Sequence, residues 1–299
     1  MPSLAELRKK IKGISSTRQI TKAMKMVAGA RFSRAARQMN DALHYQAEIE
    51  KLLFDFLSIA GPLHGRFASL CRSMRSSMPA DASSSREIGL IVVAADKGLC
   101  GDFNNSIIRE ADGFLKKNSG RVAALIAIGK KAVEHYRNTQ VSRKIEHAQF
   151  FNRFDYTIAD TIGNEALKIC FEKNISEYTV IHSHFKSMIR QQLIVTKFLP
   201  VETAQPFSRD SLVRSTTIEP AEEEAVLQAL LPMYVKAKMY GILRDSFTAE
   251  LAARMRAMDN ATRNAGSLID TITLEMNKTR QALITRELSE IIATNEVVR

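Results

Sequence analysis

Apolar and small residues recur at alternating steps of three and four along both ends of this 299-residue chain. Near the N-terminus the stripe runs through Leu4, Leu7, Ile11, Ile14, Thr21, Ala28, Phe32, Ala35, Met39, Ala42, Ile49, Leu53 and Phe56. Near the C-terminus it runs through Leu251, Met255, Met258, Thr262, Ala265, Ile269, Ile272, Met276, Thr279 and Leu283. A period near 3.5 keeps one stripe facing a partner helix as the pair supercoils. The pattern predicts a first helix from Leu4 to about Ser58, stopped by Gly61-Pro62. It predicts a second from Pro220, with the acids Glu222, Glu223 and Glu224 over its positive end, to about Val297. At ~1.5 Å per residue these would be roughly 80 Å and over 100 Å long. Helices of that length need a partner along them to stay ordered. Terminal helices joined through an insertion can pair antiparallel within one molecule, as a long coiled coil carrying a globular domain. Pro232 predicts a kink or a break in the second helix. Gly29, in the cluster Ala28-Gly29-Ala30, suggests close approach of another backbone.

The middle of the chain follows a different grammar. Ile88 to Ala94 is a short run rich in β-branched residues, as a buried strand would be. A loop from Asp96 and a helix to about Asn118 follow it. Strand Val122–Ile128, helix Lys130–Asn138, helix Tyr156–Lys173, strand Tyr178–His182 and strand Gln191–Phe198 complete the series. This alternation predicts a Rossmann-like α/β domain of mostly parallel sheet, with helices on both faces. The expected organisation is a helix over 1–60, a connector over 61–86, the α/β domain over 87–200, a linker over 201–219 and a helix over 220–299. Within the connector, Leu63 to Met74 suggests a further helical piece; Ser73 to Arg86, with Pro79 and three consecutive serines, reads as flexible chain.

Candidate chemistry is sparse. The loop Lys97-Gly98-Leu99-Cys100-Gly101 lacks the spacing and the following Lys-Ser/Thr of a phosphate loop, and it fails the dinucleotide fingerprint too. Its glycines fit a strand-to-helix turn. Gly129-Lys130-Lys131 opens a helix and could meet an anion, but a solvated helix start explains it as well. His182 and His184 alternate along a strand and face one way, with no acid or cysteine at ligand spacing nearby, which favours a half-buried strand over a metal site. No catalytic, cofactor or metal residue is assigned. Cys71, Cys100 and Cys170 are scattered, so no disulfide framework is implied and a reducing cytoplasm is the expected compartment. The start, MPSLAELRKK, has no signal-peptide core, and no apolar run approaches the ~18 residues of a membrane span.

Charge changes the picture more than composition does. Aromatics are 7% of the chain and tryptophan is absent, which suits a helical rod better than a deep spherical core. Residues 1–37 hold ten Lys or Arg against the single acid Glu6, a balance of +9 within the chain's +11. Such a helix could meet nucleic acid, an anionic membrane or an acidic protein. A basic helical hairpin binding nucleic acid is one reading; the scarcity of stacking aromatics and the absence of a nucleic-acid motif weigh against it.

Four separated strings then narrow the choice. ITKAMKMVAGAR (Ile20–Arg31), KGLCGDFN (Lys97–Asn104), ARMRAMDNATRNA (Ala253–Ala265) and NKTRQALITRELSEI (Asn277–Ile291) resemble, in order, the signature strings of the gamma subunit of F-type ATP synthases. The chain departs from the family pattern at Asp102 and after Ile292. The resemblance implies a non-catalytic central rotor shaft with no cofactor of its own, coupling ion flow to ATP synthesis by rotation. It implies a hetero-oligomer with alpha and beta subunits of the catalytic ring, an epsilon subunit and a membrane c-subunit ring. It further implies a peripheral position on the cytoplasmic face of a bacterial membrane. By family position, Met24 and Lys25 would lie nearest the acidic loops of the catalytic subunits. Arg280 and Gln281 would be polar contacts to such a loop, with Thr285 and Glu287 a little further along.

Overall fold

The structure is a computed structural model that describes residues 3–59, 71–72, 87–149, 155–173, 175, 177–202 and 220–297. Helix α1 (Leu4–Ile59) is followed by β1 (Cys71–Arg72), β2 (Ile88–Val93), α2 (Phe103–Lys117), β3 (Val122–Ile128), α3 (Lys130–Tyr136) and β4 (Arg143–His147). Then come α4 (Tyr156–Lys173), β5 (Glu177–Phe185), β6 (Gln191–Leu199), β7 (Val201–Glu202) and α5 (Pro220–Val297). The chain divides into two compact units, Met1–Ala30 with Arg254–Arg299, and Arg31–Ala253.

The first unit is a pair of helical segments. Helix α1 starts at a reciprocal cap: the Ser3 N–H donates to Glu6 Oε2 (3.0 Å) and the Glu6 N–H to Ser3 Oγ (3.2 Å), which satisfies two otherwise orphaned backbone donors. Leu7, Thr21 and Ala28 are buried at multiples of seven residues, and on α5 so are Met258, Ala265 and Ile272. The pairing is antiparallel, because partners on α5 descend as those on α1 ascend. Arg18 lies beside Gly266. Thr262 Oγ1 donates to Thr21 Oγ1 at 2.8 Å, and Lys25 Nζ donates to Asp259 Oδ1 at 2.6 Å. A Cβ on Gly29 would sit 3.4 Å from the Met255 sulfur. The expected stripe ends early: Leu283 is 41% exposed.

The second unit is built on a five-stranded sheet of order β4-β3-β2-β5-β6, with β5 and β6 the antiparallel pair. β2 and β3 are buried along nearly their whole length, which a sheet achieves only when both faces are covered. Helices α2 and α3 sit together, joined where the Tyr136 hydroxyl donates to Asp112 Oδ1 at 3.0 Å. Helix α4 packs with α5 through Lys236 and Asp160, 2.6 Å apart. Gly89 must be glycine because the Tyr178 ring of the neighbouring strand occupies the place of a Cβ.

Several expectations need correction. β4 was absent from the predicted strands: RKIEH is a polar edge strand with no buried residue, so it carries no hydrophobic run. Cys71–Arg72, placed in a helical piece, is instead a strand parallel to β7. β7 likewise takes Val201–Glu202 out of the expected linker. The remainder of the 61–86 connector and of the 201–219 linker lies outside the described residues. Of the kink or break expected at Pro232, the break does not occur, since α5 runs through it as one helix; Leu231, Tyr234 and Val235 around it are buried, and that packing outweighs the one lost backbone bond.

His182 carries a pH consequence. Burial pushes its imidazole pKa below the ordinary value of 6.5, and the opposing pull of Asp245 is smaller. Below that ordinary value the unfolded chain binds a proton here and the folded chain does not, so stability is lost as pH falls. Urea unfolding between pH 7.5 and 5.5 should show this loss, with a contribution no steeper than one proton's linkage slope. His182→Leu should remove that contribution; an identical pH profile in the variant would refute the assignment.

Candidate functional site

Among the described residues, the strand ends where this sheet architecture usually holds a ligand are bonded to the chain's own side chains. In open α/β sheets ligands bind beyond the strand ends where strand order reverses, here between β2 and β5. At the end of β5, Asp245 of α5 accepts the Phe185 N–H (2.8 Å) and bonds His184 Nδ1 (2.7 Å). His182 Nδ1 lies 4.0 Å from the same carboxylate. The acid that local spacing did not provide for the two histidines therefore comes from a distant helix. Among the described residues no group of three His, Cys, Asp or Glu side chains is arranged to hold a metal ion.

The loop after β2 is equally self-contained. Asn104 Oδ1 accepts the Ala95 N–H at 2.9 Å, and its Nδ2 donates to Cys100 Sγ at 3.2 Å. Helix α3 does meet an anion at its start, but a resident one: Asp96 Oδ1 accepts the Lys130 N–H at 3.0 Å. Gly129 precedes it at φ 88°, pressed against the Ala94 carbonyl, a position only glycine fills without strain. These groups shape the turn.

What remains open is the far end of α5. The contacts in the first unit pair residues whose numbers sum to about 284, so Leu4, where α1 begins, falls opposite Arg280. Past that point α5 has no α1 beside it, and residues 280–291 are all exposed. Arg280, Ile284, Glu287 and Ile291 follow one another at four, three and four residues, placing them along one face. Ile284, Leu288 and Ile291 are 49, 55 and 60% exposed. Thr285 Oγ1 donates to the Gln281 carbonyl (3.0 Å), and Arg286 pairs with Glu290 (2.9 Å).

The six residues expected as partner contacts fall into two groups. Arg280, Gln281, Thr285 and Glu287 share the exposed end of α5. Met24 is half-buried, and Lys25 is bonded to Asp259, which also pairs with Arg263 at 2.9 Å. Some 21 helical residues separate Asp259 from Arg280, or ~30 Å along α5, so the structure does not bring the groups together. The exposed apolar residues Ile284, Leu288 and Ile291 were not expected. The signal for them was the offset between the two stripes, which leaves α5 longer than its partner.

Comparison with known proteins agrees with the resemblance. A family model described as ATP synthase matches residues 3–298. The chain is 35% identical to the ATP synthase gamma chain of Jannaschia sp. (strain CCS1) and 32% identical to that of Moorella thermoacetica, in each case over all of both chains. The fold is similar to a chain of the Euglena gracilis mitochondrial ATP synthase (OSCP/F1/c-ring, rotational state 3), with TM-score 0.66 and 17% identity over 99% of this chain and 94% of that one. It is also similar to a chain of the Tetrahymena thermophila mitochondrial ATP synthase central stalk and c-ring, with TM-score 0.57 and 21% identity over 81% of this chain and 99% of that one.

The Lys25–Asp259 contact is testable by titration. The hydrogen bond from Lys25 is the largest cause holding the Asp259 carboxyl below its ordinary value, with Arg263 contributing. Lys25→Ala should move the Asp259 titration upward in side-chain carboxyl NMR, leaving the residual effect of Arg263. An unmoved titration would show that the pair does not form in solution.

Proposed function

The chain belongs to the ATP synthase gamma-chain family, and from that premise we propose how it engages the rest of the enzyme. It is a non-catalytic subunit that acts as the rotor shaft, coupling ion flow through the membrane sector to ATP synthesis by rotation. With that role assigned, the basic N-terminal helix needs no nucleic acid to explain it.

In our reading the helical ends 1–60 and 220–299 pair as one antiparallel coiled coil, with the α/β domain of 87–200 inserted between them. Support comes from the antiparallel contacts of Thr21 with Thr262 and Lys25 with Asp259. The observation that carries the partner assignment is the exposed helix end from Arg280 to Ile291. In this proposal that end enters the ring of alpha and beta subunits. Arg280, Gln281, Thr285 and Glu287 make polar contacts there, while Ile284, Leu288 and Ile291 bear against the ring without locking to it. Met24 and Lys25 lie lower on the shaft, beside acidic loops of the catalytic subunits. An ammonium carries three donors, so Lys25 can hold Asp259 and still reach an acid on a passing subunit. The α/β domain takes the opposite role, toward the epsilon subunit and the membrane c-subunit ring. Among the described residues no helix is long and apolar enough to cross a membrane, which fits a peripheral subunit; the cytoplasmic face of a bacterial membrane is the proposed side.

Co-expression with alpha and beta subunits should give a stoichiometric ATPase in which a probe fixed to this chain rotates during hydrolysis. A chain that never joins the ring would sink the assignment. Charge-assisted hydrogen bonds are worth ~1.5–3 kcal/mol each, so Arg280→Ala with Gln281→Ala should lower coupled ATP synthesis roughly tenfold or more. Both side chains are exposed, so thermal unfolding of the isolated chain should not change. Undiminished synthesis in the assembled complex would remove these residues from the contact.

A further inference from the structure

An open cavity of about 410 Å³ in the 31–253 unit is lined by Gln38, Asp41, Ala42 and Tyr45 of α1, Tyr156 of α4 and Tyr240 of α5. We propose that this cavity is a binding site for a small alkylammonium cation, held by the three tyrosine rings and the Asp41 carboxylate.

The walls carry the argument. The Tyr45 and Tyr156 rings are 6.4 Å apart at 79°, and those of Tyr156 and Tyr240 are 5.3 Å apart at 65°. Near-perpendicular rings form corners, and each ring face carries the negative lobe of its quadrupole, which attracts cations. Tyr45 is 40% exposed, so its ring is accessible from solvent. Asp41, also exposed, adds a formal negative charge at the rim.

The same wall already holds one cation of the chain. The Arg244 guanidinium lies 5.1 Å over the Tyr240 ring, donates to the Tyr240 hydroxyl (3.1 Å) and donates to Gln38 Oε1 (2.9 Å). Arg244 is buried behind the wall and is not part of the lining. Burial first, then the neighbouring Tyr45, pushes the Tyr156 phenol up to about 12, so at neutral pH its hydroxyl remains a dipole. An anion would meet the Asp41 carboxylate at the rim and the open ring faces, while the Arg244 charge is already engaged by the Tyr240 ring, the Tyr240 hydroxyl and Gln38. A neutral aliphatic molecule would leave Asp41 without a counterpart. The volume falls within the ~300–1,000 Å³ of small-molecule sites.

The test uses the full chain with ring-labelled tyrosine, titrated with tetramethylammonium chloride against sodium chloride at equal ionic strength. The six tyrosines divide evenly. Tyr45, Tyr156 and Tyr240 line the cavity, whereas Tyr136, Tyr178 and Tyr234 are buried elsewhere. Saturable NMR shifts confined to the first three, with affinity weakened about threefold by Asp41→Asn, are the expected result. Tyr45→Leu should weaken binding further, but Asp41→Asn decides, because an exposed helix residue can be changed without disturbing the fold. Shifts that do not saturate, that sodium reproduces, or that ignore Asp41→Asn would overturn the proposal.

Discussion

A helix that buries a narrow stripe needs a second stripe in register with it, and the unit formed by residues 1–30 and 254–299 rests on that requirement. Thr21 and Ala28 on one side, Met258 and Ala265 on the other, are small or slender residues at seven-residue spacing. Small seam residues let helix axes come close, but each layer then buries little apolar area. Polar pairs across the seam make up part of the difference in specificity. The Thr21–Thr262 hydrogen bond and the Lys25–Asp259 ion pair can form in one register only. A slip of a single turn would leave the Thr21 hydroxyl, 9% exposed as a residue, facing a different layer. Register is thereby held by geometry more than by bulk hydrophobicity, as polar residues at seam positions do in coiled coils.

The sheet domain poses the converse problem, a sheet architecture often used to bind nucleotides whose described strand ends are tied to the chain's own side chains. Fold alone does not confer function. Here the reason is visible at single residues. Asp245 caps the end of β5 and ties both His184 and the Phe185 N–H, while Asp96 supplies the negative charge that the start of α3 would otherwise offer to a ligand. An acid placed at such points both satisfies backbone donors and repels phosphate. The domain has converted its ligand positions into attachment points for its own helices, which suits a subunit that transmits force and leaves the chemistry to others.

How much of this was legible in the sequence depends on how local each signal was. The two long helices declared themselves through stripes with many repeats, and their ends were placed within a residue or so, because Gly61-Pro62 and Pro220 punctuate them. β2, β3 and β5 were legible as β-branched runs. β4 was not, since an edge strand such as Arg143–His147 has no obligation to be apolar. The partners of Lys25, His184 and Gly29 were out of reach in principle: each lies more than 60 positions away, and no spacing rule connects Lys25 to Asp259. Of the proposed interaction surface, the polar residues Arg280, Gln281, Thr285 and Glu287 came from resemblance alone. The apolar residues beside them were hidden by the assumption that the stripe continued through Leu283.

That assumption fails for a simple geometric reason with functional weight. Two antiparallel helices can cover each other only where both exist, and the register places the first residue of α1 opposite Arg280. From Arg280 to Val297 the helix continues for about five more turns, and its side chains through Ile291 are exposed. Isolated helices of that length are marginal in water, and the i,i+4 pair Arg286–Glu290 supplies only local support. Such an end is ordered best when something surrounds it. A flat apolar patch would bind one orientation tightly and stop rotation. Apolar and polar residues interleave along the face of Arg280, Ile284, Glu287 and Ile291, while the opposite face, with Thr285, Arg286, Ser289 and Glu290, is polar, so the apolar residues form a narrow, interrupted stripe. In the proposed assembly the stripe bears on the surrounding ring, and the polar remainder of the helix leaves the shaft free to turn.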